Sequence, residues 1–267
     1  RKLTRDELFT LLTERVKGII AGLEPLDRQV LEKTDLKVIS RVGSGLSNVD
    51  IDAARALGVK VYYTPDGPTD AVAEMTLGAM LNLMRMISFM DRELHEGHWN
   101  KRVGAQLSGK TVAVVGYGRI GKRLAELLTP FKVEIFLVDP ALEKDYVPYP
   151  LVELDEVLPR ADIITIHCST TDCLIGRSEL GRMKEGVFLL NASRGGVVDE
   201  DALIESLETG RVSGAWLDVF ENEPYDGPLK DFPRVVLTPH VGSYTLECRR
   251  KMEKEAVENL ILGFEEK

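Results

Sequence analysis

Apolar residues fall along this chain in two rhythms. Short runs at 112–115, 133–138, 163–167, 187–191, 213–217 and 235–238 are separated by stretches with helical spacing. Strands alternating with helices in this way predict a doubly wound parallel sheet between Gly109 and Val241. The first part of the chain repeats the theme on a smaller scale. A helix is expected over 4–17, opened by the capping box Thr4-x-x-Glu7, with strands at 16–21, 36–40 and 58–63, a short helix over 50–57 and a Pro/Gly loop over 64–69. Thr69 to Glu96 reads as one long helix whose apolar residues, from Met75 to Met90, nearly encircle it. Such a helix is buried between layers, between domains or against another subunit, and core packing explains its methionines better than an adaptable binding groove does. A charged amphipathic helix over 244–264 closes the chain, and Trp99 and Trp216 are expected to anchor cores.

Composition narrows the function classes. The chain has 267 residues, 44% hydrophobic, enough for one large domain or two modest ones, and a formal net charge of −9 that argues against non-specific nucleic-acid binding. Met75 to Met90 is too short to span a bilayer and is broken by Arg85, so no membrane partner is expected. The charged start, Arg1 to Glu7, is unlike a secretory signal, and the chain does not begin with Met. Three cysteines without a Cys-x-x-Cys spacing fit reduced thiols in the cytoplasm, with Cys168 a small buried hydrophobe. His95 and His98 stand three apart, but no further ligand cluster accompanies them, so no metal is expected.

The sharpest chemical signal is Gly116-x-Gly118-x-x-Gly121 between an apolar strand and a helix, followed by a second strand ending in Asp139. Gly116 permits a tight turn, Gly118 lets backbone approach a pyrophosphate, and Gly121 lets the helix pack closely. The helix N–H groups then face phosphates. An acid 23 residues past Gly116 suits the adenosine ribose of a dinucleotide. That carboxylate would repel a 2′-phosphate, and Pro140 rather than Arg follows it, so NAD is expected over NADP.

Three further segments end strands of the same sheet: Asn191-Ala-Ser-Arg194-Gly-Gly196, Asp218-Val-Phe-Glu-Asn-Glu223-Pro224 and Thr238-Pro-His240. Ligands of open α/β sheets bind beyond the carboxyl ends of strands. Arg194 could grip a carboxylate there, and Glu223 with His240 could form a carboxylate–imidazole pair suited to proton transfer. Each residue taken singly has a plainer reading, respectively a carbonyl cap, a solvated turn acid and a packed histidine.

Taken together with Arg41-Val-Gly-Ser-Gly45 and Ala71-Val-Ala-Glu-Met-Thr76, these segments resemble the D-isomer-specific 2-hydroxyacid dehydrogenases over nearly the whole chain, most of all the 3-phosphoglycerate dehydrogenase-like branch. The resemblance implies a Rossmann doubly wound sheet, residues 79–241, inserted into a smaller flavodoxin-like substrate domain of residues 1–78 and 242–267. It implies that Arg194 binds the substrate carboxylate and polarises the C2 oxygen, that His240 exchanges the hydroxyl proton, and that Glu223 holds His240 and favours its protonated form. The backbone N–H groups of Ser44 and Gly45 would also bind the carboxylate, and Arg41 could meet a substrate phosphate or form a strand-end ion pair. Gly118, Arg119 and Ile120 would meet the NAD pyrophosphate and Asp139 the ribose. Ala192 and Asp218 would flank the nicotinamide, and Thr76 would lie beside the cofactor.

The implied reaction is the NAD-dependent interconversion of a D-2-hydroxy acid and its 2-oxo acid, in a homodimer that buries the Met-rich helix and the arm to Trp99. The alternative is an NAD-responsive, non-enzymatic co-repressor-like protein, which the complete Arg194, Glu223 and His240 set disfavours. Three departures from the family pattern stand out. The start is short, the segment 167–176 is short and lacks the usual proline, and Ser193 replaces the commoner Ala or Thr.

Overall fold

The computed structural model describes residues 3–143 and 147–266; Arg1, Lys2 and Lys267, at the outer ends of the expected substrate domain, lie outside the described residues. The chain forms two compact units, residues 1–68 with 243–267, and residues 69–242. The boundary falls at 68/69 and not within 78/79, because residues 69–85 form one uninterrupted helix that belongs wholly to the second unit.

The first unit opens with α1 (Arg5–Leu11), whose Thr4–Glu7 capping box forms as expected. The helix is shorter than the expected 4–17, since Leu12 already leaves helical geometry while its side chain, like that of Leu8, joins the core. Then follow β1 (Gly18–Ala21), α2 (Arg28–Glu32), β2 (Val38–Arg41), α3 (Ile51–Ala56) and β3 (Lys60–Tyr63). The strands form a parallel sheet in the order β1-β2-β3.

The second unit begins with α4 (Thr69–Arg85) and α5 (Ile87–His95). The expected single helix is broken at Met86, which takes a left-handed conformation with φ 52°. Asn82 stabilises the break, its Oδ1 accepting from Ser88 N at 2.8 Å and its Nδ2 donating to Ser88 Oγ at 3.1 Å. No residue of α5 is buried, and the arm beyond it leaves Trp99 79% exposed. Trp99 is therefore no core anchor: it lies on an irregular segment with no layer of its own unit over it, unlike the fully buried Trp216.

Next come β4 (Thr111–Val115), α6 (Arg119–Leu128), β5 (Glu134–Val138), α7 (Leu154–Val157), β6 (Ile163–Ile166), α8 (Arg177–Arg182), β7 (Val187–Asn191), α9 (Glu200–Glu208), β8 (Val212–Leu217) and β9 (Val235–Leu237). All six strands are parallel, in the order β5-β4-β6-β7-β8-β9, with Leu151 adding a single bridge outside β5. The strands are continuously apolar because both faces are covered. Val112 and Val114 pack with Met80, Leu83 and Leu124 on one face, and Ala113 and Val115 pack with Leu180 and Leu203 on the other. Strand order reverses between β4 and β6, which is where open α/β sheets form a ligand crevice.

The chain then returns to the first unit as α10 (Leu246–Glu265), capped by Thr245. Glycines seat it closely: a Cβ on Gly263 would come within 2.5 Å of Val38, and one on Gly18 within 2.8 Å of Phe264.

Candidate active site

The glycine turn sits at the reversal point. Gly116, with φ 90°, donates its N–H to Val138 O at 2.8 Å, tying the end of β4 to the end of β5. A Cβ there would approach Cys168 N to 2.6 Å, so only glycine lets β4 leave the sheet against β6. A Cβ on Gly121 would come within 2.1 Å of Gly116 O. Around Gly118, by contrast, a Cβ would meet nothing within 4 Å, and this exposed residue starts α6 with no side-chain cap. The uncapped N–H groups and the open space over them fit a pyrophosphate. Asp139 accepts Tyr117 N at 2.9 Å through Oδ2 and Ala141 N at 3.0 Å through Oδ1, which fixes its carboxylate beside the turn. Arg119 and Ile120 occupy the first turn of α6.

A second cluster gathers past β7, β8 and β9. Asn191 organises the first of its loops: its Oδ1 accepts from Ser193 N and Oγ, and its Nδ2 donates to Arg194 O. Arg194 is half-buried and donates from Nη1 to Ser193 O at 2.7 Å. The next residue, Gly195, lies flat on the second loop, where a Cβ would come within 1.8 Å of Phe220 O. Phe220 N in turn donates to Glu223 Oε1 at 3.2 Å, while Glu223 Oε2 is 3.0 Å from His240 Nδ1. The loop of Arg194 therefore abuts the loop that presents Glu223 to His240. His240 remains 45% exposed, so the pair is open to solvent and contributes little to stability.

Other expected residues are placed less directly. Asp218 is 3% exposed, and its carboxylate accepts bonds from Thr238, Val241 and Gly242. Ala192 follows β7, half-buried. Thr76 is fully buried in α4, with its hydroxyl donating to Val72 O. Arg41, Ser44 and Gly45 belong to the first unit, at the end of β2. There the Arg41 guanidinium curls back to donate to Val42 O and occupies the space a Cβ on Gly43 would need.

Sequence reasoning placed Trp216 in the core and Asn191 and Thr238 within motifs but missed the hydrogen bonds these three make, which no motif advertises. It also treated Cys168 as a plain core residue. Cys168 is half-buried against the glycine turn, and burial pushes its thiol pKa up. Beside it, burial lowers the His167 pKa to about 4. His167 Nε2 lies 2.8 Å from Thr165 Oγ1, and its Nδ1 is buried without a hydrogen-bond partner. A cavity of about 440 Å³ opens at the opposite ends of the strands, beside Lys110, Asp162, Gly186 and Arg234, and includes none of the expected site residues. Among the described residues no group of three or more His, Cys, Asp or Glu is placed to hold a metal ion, and no helix is long and apolar enough to cross a membrane.

Residues 77–242 match the family profile described as D-isomer specific 2-hydroxyacid dehydrogenase, NAD binding domain. The chain belongs to the D-isomer-specific 2-hydroxyacid dehydrogenase family. It is 35% identical over 268 residues to a hydroxypyruvate reductase of Thermotoga maritima, covering 97% of this chain and 88% of that protein. It is 34% identical over 270 residues to a D-3-phosphoglycerate dehydrogenase of Archaeoglobus fulgidus, covering 97% of this chain but only 51% of the relative, so the chain spans about half the length of that relative. Among solved structures it is similar to a D-lactate dehydrogenase from Aquifex aeolicus complexed with NAD and lactic acid, with a TM-score of 0.84 and 27% identity, covering 98% of this chain and 85% of that one. This family is one of NAD-dependent dehydrogenases, and NAD is the cofactor of the domain matched over residues 77–242.

Proposed function

We propose that this 2-hydroxyacid dehydrogenase reduces a small 2-oxo acid to the D-2-hydroxy acid, and runs the reverse oxidation, with His240 as the proton carrier. The observation that carries the reading is the 3.0 Å contact between His240 Nδ1 and Glu223 Oε2 at the strand ends that also carry Arg194. Bound NADH supplies the hydride. With Nδ1 committed to Glu223, the Nε2 nitrogen is the one left to give its proton to the C2 oxygen and to take it back in oxidation. Glu223 holds one imidazole tautomer, and its other oxygen is tied to Phe220 N. Arg194 would pair with the substrate carboxylate through its guanidinium fork, a local cation on a chain of net charge −9.

The finer substrate assignment turns on Arg41. Because its guanidinium bends onto Val42 O, the structure gives less support to a phosphate role than to a local one. We therefore favour an unphosphorylated substrate such as hydroxypyruvate over the 3-phosphoglycerate class. The same reading includes a homodimer covering the exposed Ile87, Leu94, Trp99 and Val103, and a reducing, cytoplasmic setting for the three free cysteines.

The test is NADH consumption with glyoxylate, hydroxypyruvate, pyruvate and 3-phosphohydroxypyruvate, with the product resolved by chirality. Turnover of an unphosphorylated acid to the D-product is expected. Preference for the phosphorylated acid would restore the Arg41 assignment. No turnover with any of them, together with NAD-dependent capture of a protein partner, would replace the enzyme reading by the co-repressor-like one.

A further inference from the structure

His240 is a non-glycine residue with φ 54°, a left-handed conformation that L residues avoid. Something must hold it there, and the hydrogen bonds on both sides of it lead to one buried carboxylate. Asp218 Oδ1 accepts Val241 N at 2.9 Å, and Oδ2 accepts Gly242 N at 2.7 Å. On the other side of His240, Thr238 Oγ1 lies 2.6 Å from the same Oδ1, and His240 N donates to Thr238 O at 2.9 Å. Behind Thr238 stands Trp216, whose Nε1 lies 3.0 Å from Thr238 Oγ1.

The direction of this chain is fixed by chemistry. An indole N–H only donates, so Thr238 Oγ1 must accept from Trp216. The single hydroxyl proton is then left for Asp218, which as a carboxylate only accepts. Each group has one role available, and the network is satisfied in one arrangement only. Trp216 is fully buried and packs with Ala79, Met80 and Leu83 of α4, so the far end of the chain is set in the core.

We propose that Trp216 and Thr238 are positioning residues: the ordered relay from indole to hydroxyl to carboxylate clamps the 238–242 turn so that His240 stays left-handed and meets Glu223. The inference rests on the reading of His240 as the proton carrier, but its geometric content can be tested apart from it. Replacing the Thr238 hydroxyl by a methyl group leaves the indole N–H facing carbon and removes the shortest bond to Asp218, so the turn loses its lock while the packing volume is kept.

The variants are Thr238→Val, Thr238→Ser and Trp216→Phe. The first readout is the nitrogen-bound proton signal of the His240 imidazole in protein labelled with ¹⁵N-histidine, assigned by its loss in His240→Ala. Thr238→Val is expected to broaden or abolish the Nδ1–H signal, Thr238→Ser to keep it, and Trp216→Phe to weaken it. The second readout is steady-state reduction of hydroxypyruvate or glyoxylate. Thr238→Val should lower kcat by roughly tenfold or more with the NADH dissociation constant kept within about twofold, and Thr238→Ser should restore most of it. An unchanged imidazole signal in both Thr238→Val and Trp216→Phe would overturn the proposal, as would a loss that serine does not rescue. If Thr238→Val does not fold, Trp216→Phe decides by the same signal. Absence of turnover in the unmodified protein, with the signal still responding, would sink the dehydrogenase reading and leave the clamp standing.

Discussion

At the scale of single residues, the site rests on close approaches that admit no larger side chain and on hydrogen bonds that leave one choice of donor. Gly121→Ala would drive a methyl group to within 2.1 Å of Gly116 O, a backbone atom that cannot swing away. We expect that variant to lose NADH binding in a fluorescence titration and to lose more than about 2 kcal/mol of stability. Arg194→Ala should raise KM for the 2-oxo acid by roughly 10- to 100-fold, as removal of a charge-assisted pair does, with NADH affinity retained. His167 gives a pH dependence. Its folded pKa of about 4 lies below the ordinary imidazole value of 6.5, so between these values the unfolded state binds the extra proton. Stability from this residue is fully present above about pH 6.5 and declines as pH falls toward 4. Part of the residue remains exposed although its Nδ1 is buried, so the effect is at most about 3 kcal/mol. Thermal melts over that range should flatten in His167→Gln, and a parallel acid dependence in the variant would contradict the assignment. Glu223 and His240 were readable from residue type and strand-end position, whereas the hydrogen bonds of Asn191, Thr238 and Trp216 were not, because neither a bond inside one loop nor one between the ends of neighbouring strands leaves a period or spacing in the sequence.

At the scale of elements, strands were the most legible feature. A parallel sheet buried on both faces demands continuous apolar runs, and 112–115, 163–167 and 187–191 supply them with little ambiguity. The long helix was misread because its apolar residues continue past Met86 without interruption, while the break depends on a polar side chain. Asn82 binds Ser88 twice across the break, so Asn82→Ala should destabilise the unit by about 1 kcal/mol in a urea titration. An unchanged midpoint would mean that the left-handed Met86 is held by packing alone. Trp99 was misplaced for a related reason: an aromatic residue after an apolar helix suggests a core, yet its segment has no layer to pack on within its own unit. The proposed dimer gives that surface a partner. Sedimentation should show a dimer that Trp99→Ala or Val103→Asp weakens, and a native protein that is monomeric at all concentrations would remove this part of the reading.

At the scale of the whole molecule, the proposed cofactor residues Gly116, Gly118, Gly121 and Asp139 and the proposed catalytic set Arg194, Glu223 and His240 all lie in residues 69–242, a unit with its own core on both faces of its sheet. Ligand that binds only the folded form stabilises it by mass action, about 2.7 kcal/mol at 100-fold excess over Kd. Calorimetry should therefore show NADH raising the unfolding transition of that unit. The family, the alternating architecture and the cofactor were legible because they depend on local turns and ordered motifs. The substrate side chain was not, since Arg41 proved to be engaged by its own loop in a way that charge alone does not announce. On the proposed chemistry His240, held by Glu223, carries the proton of a 2-oxo acid reduction. The measurement that tests it most directly is the kcat of His240→Ala beside its NADH dissociation constant. We expect kcat to fall by about 100-fold or more while NADH binding changes by less than about threefold. A variant that turns over at the native rate would contradict it.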